Sequence, residues 1–192
     1  MPLIVITPPT MDPVSVSEAK SHPAFHVDGS EDDSAIAGLI ASARGKGEAI
    51  TRRAFMPQTL ELVLDEFPRV IVLPCPPLVS VTSIKYIDGD GVEQTLSASM
   101  YSVDTSSEPG KIVEAYGQSW PSTRDIPNAV RVRYVAGYAS AALVPAEIKT
   151  WITIIAATMY DNSQAIVVGQ TVASIPRDFI DGLLDPYRIF LL

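Results

Sequence analysis

The sequence predicts an α+β fold in which an antiparallel β-rich segment is inserted between two pairs of helices. Apolar residues recur every three or four positions before residue 54, which is the spacing of a helix face. The same spacing returns after residue 144. Between residues 57 and 137 the period falls to two, and short apolar runs alternate with turn-forming residues, as in strands. The flanking helices are therefore expected to form a bundle of about four helices, with the β segment as an insertion.

The two N-terminal helices are predicted within residues 14–56. Ser15 and Glu18 have the spacing of a capping box, so a short helix is expected to begin there and to end before Pro23. A second helix is expected to begin in the acidic stretch at residues 30–33 and to run to about Arg53. Its apolar face contains Ile36, Leu39, Ile40, Ala43, Gly47, Ile50 and Ala54. Gly45 and Gly47 would weaken this helix locally and would let another helix approach closely.

The β-rich insertion is predicted at residues 57–137 as an antiparallel meander or a small barrel. Its tightest turn is the sequence Asp88-Gly89-Asp90-Gly91, because glycine tolerates the positive φ that hairpin turns need. The expected strands cover residues 60–64, 70–73, 79–87, 92–96, 101–103, 111–113 and 128–135.

The two C-terminal helices are predicted within residues 144–188, followed by an apolar tail at residues 189–192. Pro145 suits the first turn of a helix, whose apolar face contains Ile148, Trp151, Ile152, Ile155 and Met159. Residues 164–174 are expected to form a loop. Pro176 is expected to open a last short helix that ends near Asp185 and Pro186. Its buried side would contain Phe179, Leu183 and Leu184.

Composition limits the classes of function. The chain has 192 residues, enough for one domain, and 22 acidic against 14 basic residues, for a net charge of −8. This acidic balance disfavours a protein whose main function is to bind phosphate groups, because such binding depends on clustered lysine and arginine. Cys75 is the only cysteine, so neither an intramolecular disulfide nor a cysteine-based zinc site is expected. Residues 1–10 lack the basic leader of a secretory signal, and residues 148–160 are too few to span a bilayer, so a soluble protein of the reducing cytoplasm is predicted.

The motifs that could carry chemistry have simpler structural interpretations. His22 and His26 are four apart, but Pro23 interrupts the helix that would align them on a metal. The sequence from Asp88 departs from a calcium loop at Val92 and Glu93. The glycines around Lys46 lack the order of a phosphate loop. No catalytic residue, metal site or cofactor is therefore predicted, and an enzyme or ligand-binding domain would need a polar pocket that the sequence does not indicate.

The apolar C-terminus is the one segment that points to a partner. A terminus that ends in Ile189-Phe190-Leu191-Leu192 must either fold back onto its own core or bury itself in another protein. The chemistry of these residues alone does not favour either outcome.

The order of these pieces resembles the head–tail connector, or adaptor, proteins of tailed phages over residues 14–188. The sequence departs from the usual pattern at Pro23-Ala24-Phe25, where such proteins usually have a leucine and a basic residue. It departs again at Asp161-Asn162-Ser163, where the helix usually has a polar end that contains an arginine. The segments that carry the resemblance are residues 16–22 (VSEAKSH), 28–33 (DGSEDD), 39–44 (LIASAR), 73–78 (LPCPPL), 81–86 (VTSIKY), 88–91 (DGDG), 134–138 (YVAGY), 144–149 (VPAEIK), 159–160 (MY) and 183–188 (LLDPYR).

The resemblance implies a structural subunit of the virion, assembled in the host cytoplasm. About twelve copies would form a ring under the portal and link the DNA-filled head to a stopper or tail-completion protein, and DNA would pass through the ring without sequence-specific binding. No enzymatic activity and no membrane association are implied. The alternative is a tail-completion protein or another neck protein of a phage or prophage. The residues expected to contact the portal are Tyr187, Arg188, Ile189, Phe190, Leu191 and Leu192.

Overall fold

The chain divides into two compact units, each built from two stretches of sequence. The structure, a computed structural model, describes residues 2–23, 25, 27, 29–161 and 180–190. Residues 1–10 and 52–139 form the first unit, called here the β unit, and residues 11–51 and 140–192 form the second, called the helical unit. The antiparallel sheets and the α-helices thus occupy separate units, as expected for an α+β chain. The predicted insertion at residues 57–137 falls within the β unit, which also contains residues 1–10.

The β unit contains two antiparallel sheets. A five-stranded sheet has the order β1-β2-β8-β4-β5, and a three-stranded sheet has the order β3-β7-β6. The strands are β1 (Leu3–Thr7), β2 (Gln58–Leu64), β3 (Val70–Leu73), β4 (Leu78–Ile87), β5 (Glu93–Thr95), β6 (Tyr101–Asp104), β7 (Gly110–Glu114) and β8 (Val130–Ala136).

The strand β8 lies at the centre of the larger sheet, between β2 and β4. The expectation of a meander was wrong at this point, because a meander pairs strands in sequence order. Along β8 buried residues alternate with more exposed ones, and Val130, Val132 and Tyr134 enter the core. Residues from both sheets, including Ile71 and Ile112 of the smaller one, join them in a single hydrophobic cluster. The burial of this shared cluster, rather than local sequence order, therefore determines which strands pair.

The strand β2 is buried on both of its faces. Its sequence alternates between apolar and polar residues over only part of the strand. Leu60, Leu62 and Leu64 belong to the hydrophobic cluster, and Glu61 and Val63 on the other face are also buried. The Glu61 carboxylate accepts hydrogen bonds from Nε and Nη2 of Arg133 on β8, at 3.0 and 2.7 Å. This pairing satisfies the buried charge.

The helical unit contains α1 (Val16–Lys20), α2 (Asp33–Thr51) and α3 (Ala146–Asp161), followed by a 3-10 helix (Gly182–Tyr187). The predicted cap of α1 is confirmed, since the Ser15 hydroxyl accepts a hydrogen bond from the Glu18 N–H at 3.1 Å. The helices α2 and α3 contact each other, and both contact the 3-10 helix. Their buried residues include Ile36, Ile40, Ile148 and Trp151. The four-helix bundle as such stays a prediction.

The helix α2 ends two residues before the predicted boundary at Arg53. Arg52 has φ of +57°, a left-handed conformation that cannot continue an α-helix. Arg53 then belongs to the β unit, where its guanidinium contacts the carboxylate of Glu108 at 2.5 Å.

Some predicted features lie outside the described residues. These are the loop at residues 164–174 and, from the last predicted helix, Pro176 and Phe179. The described part of that region begins at Ile180, which is buried, and continues through the 3-10 helix, where Leu184 is completely buried.

Candidate interaction surfaces

The C-terminal tail is tied to the helical unit as far as Ile189. The Tyr187 hydroxyl donates a hydrogen bond to the Glu147 carboxylate at 2.8 Å, and this bond, after a backbone hydrogen bond at Glu147 itself, helps to lower the pKa of Glu147. The Ile189 N–H donates to the Thr51 carbonyl at 2.9 Å, at the end of α2. Arg188 Nε lies 3.2 Å from the Asp185 carboxylate. Three of the six residues expected to contact a portal are therefore held by their own subunit.

Phe190 behaves differently from the residues before it. Its side chain is 78% exposed. Leu191 and Leu192, which follow it, lie outside the described residues. The described tail thus folds back onto its own unit up to Ile189, and the aromatic ring of Phe190 beyond that point is exposed. Burial of the tail in another protein stays a prediction.

The acidic turn after β4 is a hairpin whose carboxylate is used internally. One oxygen of Asp88 accepts the backbone N–H groups of Asp90 and Val92 at 3.1 and 2.9 Å, and the other accepts the Gln94 amide at 2.8 Å. The pKa of Asp88 is lowered, first by the Gln94 bond and then by the Val92 N–H. These donors occupy the oxygens that a calcium ion would need, so the turn is interpreted as a hairpin.

The other candidate residues from the sequence also have structural partners. His22 follows the end of α1 and its backbone N–H donates to the Ala19 carbonyl at 3.0 Å, whereas His26 lies outside the described residues. Arg44, which precedes the two glycines around Lys46, lies within α2, where its guanidinium contacts the carboxylates of Asp12 and Glu48 at 2.7 and 2.9 Å. Over the described part of the chain, no group of three or more His, Cys, Asp and Glu side chains could hold a metal ion.

Cys75 stands in a strained corner between β3 and β4. Its φ is +58°, and the Tyr134 hydroxyl donates to the carbonyl of the neighbouring Pro74 at 2.8 Å. Burial is the main reason that the pKa of Tyr134 is raised, with a further contribution from Cys75. No helix in the described ranges is both long and apolar enough to cross a membrane.

The most exposed apolar strand of the β unit is β1. Its residues Leu3, Ile4, Val5 and Ile6 are each between 36% and 54% exposed, although the strand pairs with β2. It lies at the edge of the five-stranded sheet. Sequence reasoning missed this strand, because a run of four apolar residues shows no alternation. The prolines at positions 2, 8 and 9 could have indicated it as a short bounded strand.

The fold of the chain is similar to that of chains in gene transfer agent particles. A chain in the neck of an empty gene transfer agent particle, computed with C6 symmetry, superimposes with a TM-score of 0.78 at 21% identity. The match covers 100% of this chain and 97% of that one. A chain in the virion of the native particle gives a TM-score of 0.77 at 22% identity, and one in the native neck, computed with C12 symmetry, gives 0.74 at 21%. Both of these matches have the same coverage as the first.

No protein-family model and no curated protein sequence matches the chain. The TM-scores of 0.74 to 0.78 show that the fold is shared with these chains at identities of 21–22%.

Proposed function

We propose that this chain is a non-enzymatic structural subunit of the neck of a tailed phage or phage-like particle. The observation that carries the proposal is the full-length fold likeness to neck chains, which extends over both units of this chain. The sequence resemblance to head–tail connector proteins, over residues 14–188, supports the same class independently.

Within the neck, the proposed role is that of the adaptor. About twelve copies form a ring beneath the portal, and a stopper or tail-completion protein binds the other face of the ring. The C12 and C6 symmetries with which the similar neck structures were computed support a ring of identical copies. Subunits assemble in the host cytoplasm and reside in the virion at the head–tail interface.

The charge of the chain suits a channel that DNA passes through. A net charge of −8 gives a ring of twelve copies a strongly negative field, which repels the phosphate backbone. DNA then moves through the ring without being held there, and no sequence-specific contact is needed.

The proposed contact with the portal is made by the C-terminal tail, residues Tyr187 to Leu192. Phe190 supports this contact, because an exposed aromatic ring at the end of an anchored segment is the kind of residue that contributes most to a protein interface. Tyr187, Arg188 and Ile189 orient the segment through their bonds to the helical unit.

The test is co-sedimentation of the purified protein with portal-bearing, DNA-filled heads from the same particle, followed by electron microscopy of the portal vertex. A new ring of density beneath the portal is the expected result. Heads that lack the portal are the matched control and should bind nothing. Capture by tail tubes or tail-completion proteins, with no binding to heads, would overturn the adaptor role and favour the alternative of a neck protein on the tail side.

A further inference from the structure

The outer edge of β1 lacks the charged side chains that often keep sheet edges from pairing. The strand contains no charged residue, and residues 1–11 contain none either. Natural edge strands are usually protected by charge, by a bulge or by a covering segment. In β1 a bulge occurs only at its end, between Val5 and Thr7. The residues before the bulge therefore form a regular and uncharged edge.

The backbone groups that point away from the sheet can be assigned from the ladder. The Val63 N–H donates to the Pro2 carbonyl, so this pair is hydrogen-bonded. Hydrogen-bonded and non-hydrogen-bonded pairs alternate along an antiparallel ladder. Ile4 and Glu61 are therefore the next hydrogen-bonded pair, and Leu3 and Val5 direct their N–H and C=O groups outward.

The opposite edge of the same sheet, β5, has outward groups at the same spacing. The Leu96 N–H donates to the Ile84 carbonyl, and the Asp88 N–H donates to the Val92 carbonyl. By the same alternation, Glu93 and Thr95 direct their N–H and C=O groups outward. All three residues of β5 are exposed.

We propose that β1 of one copy adds to the β5 edge of the next copy, so that the five-stranded sheet continues from subunit to subunit. The strand order makes β1 and β5 point in the same direction, so the added pair is parallel. A parallel ladder sets Val5 between Glu93 and Thr95 of the neighbour. The Val5 N–H donates to the Glu93 carbonyl, and the Thr95 N–H donates to the Val5 carbonyl.

The occupant of the β1 edge is a second copy for two reasons. First, β1 and β5 are opposite edges of one sheet, and a contact between two different surfaces of the same chain generates a closed ring or a filament. This step rests on the ring proposed above. Second, copies that each carry a net charge of −8 repel one another, so their contact is favoured where charge is absent or neutralised. The strand β1 is uncharged, and the Glu93 carboxylate lies 2.7 Å from the Lys85 ammonium.

The first test compares two substitutions of Val5 with a charge-matched control in the full chain. Val5→Pro removes the outward N–H while leaving the Ile4 bonds to β2, and Val5→Lys adds charge to the edge. Sedimentation velocity up to high concentration should show self-association of the parent chain that both variants weaken at least tenfold. Val72→Lys, an equally charged change on an exposed valine of β3, should have little effect. Circular dichroism melts check that every variant is folded.

Two results of this comparison would overturn the proposal. One is a parent chain that stays monomeric at every concentration. The other is self-association that both Val5 variants leave intact. Binding to portal-bearing heads is measured separately, so a chain that binds heads but does not self-associate through β1 loses only this inference. A chain that self-associates through β1 but ignores heads loses only the adaptor role.

The second test maps the contact by disulfide formation. A chain carrying Val5→Cys and Gln94→Cys should form disulfides between copies under mild oxidation, because residues opposite each other in a sheet lie within the reach of a disulfide. Mass spectrometry should identify peptides in which position 5 of one copy is linked to position 94 of another. The control chain with Val72→Cys and Gln94→Cys keeps Cys75 as well and should stay uncrosslinked. Links only between two copies of position 5 would indicate a symmetric dimer and would overturn the head-to-tail arrangement.

Discussion

At the scale of single residues, two glycines with different surroundings show how backbone geometry determines tolerance to change. Gly137 follows β8 with φ of +121°. A Cβ atom there would lie 2.2 Å from the Met56 carbonyl oxygen and 2.8 Å from the Pro57 nitrogen. Gly45 lies within α2, and nothing is within 4 Å of an added Cβ. Among the described residues, no other helix therefore lies close to Gly45, although the sequence predicted that this glycine would permit such an approach.

Gly137→Ala is expected to destabilise the protein by about 3 kcal/mol or more, because the new methyl group meets backbone atoms and the positive φ is strained for alanine. The Tm should fall by roughly 6–12 °C for a chain of this size. Thermal melts followed by circular dichroism measure the change. Gly45→Ala is the matched control and should instead stabilise the chain by about 0.5–1 kcal/mol, since alanine is the better helix former. Equal effects of the two changes would contradict this account.

At the scale of elements, the C-terminal tail has a part that is bonded to its own subunit and an exposed part at Phe190. Leu184 is completely buried and Ile189 is hydrogen-bonded to Thr51. Phe190 contributes little to the subunit itself, because most of its side chain is exposed. Changes at neighbouring positions of the tail should therefore affect different quantities, the stability of the subunit at buried positions and its affinity for a partner at exposed ones.

A chain that ends at Ile189 should keep its Tm within about 2 °C, since only exposed or terminal residues are removed. Its binding to portal-bearing heads should fall at least tenfold, equivalent to about 1.4 kcal/mol. Co-sedimentation measures the binding. Leu184→Ala is the contrasting variant, and loss of its buried side chain should cost about 2–5 kcal/mol of stability. A truncated chain that unfolds, or that binds as well as the full chain, would contradict the proposed role of Phe190 and the residues after it.

At the scale of the whole molecule, charge opposes assembly and apolar surface favours it. Each copy carries a net charge of −8, whereas residues 3–6 of β1 and Phe190 are exposed and apolar. Association of like-charged copies is strengthened when salt screens their repulsion.

Raising the salt concentration from about 0.05 M to about 0.5 M should therefore strengthen self-association, because the screening length falls severalfold. Sedimentation velocity at both salt concentrations measures the effect. Weaker association at the higher salt concentration would mean that ion pairs, and not the apolar edge, hold the copies together.

Local sequence signals predicted most elements correctly. The cap at Ser15, the long helix from Asp33, the hairpin at Asp88 and the strands from β2 to β8 all follow from patterns that neighbouring residues set by themselves. A hydroxyl cap, a glycine turn and a period of two or 3.6 act within a few residues, which is why they can be read without a structure.

Sequence patterns predicted the order and type of most elements but not β1, and they also gave the acidic balance and the apolar character of the tail. Three features became visible only in the folded chain: β8 lies between β2 and β4, β1 forms an uncharged sheet edge, and Ile189 is anchored while Phe190 is exposed. These features depend on residues far apart in the chain. Their physical basis is burial of one shared core, and whether an apolar residue enters that core or stays at an edge depends on the packing of the other segments.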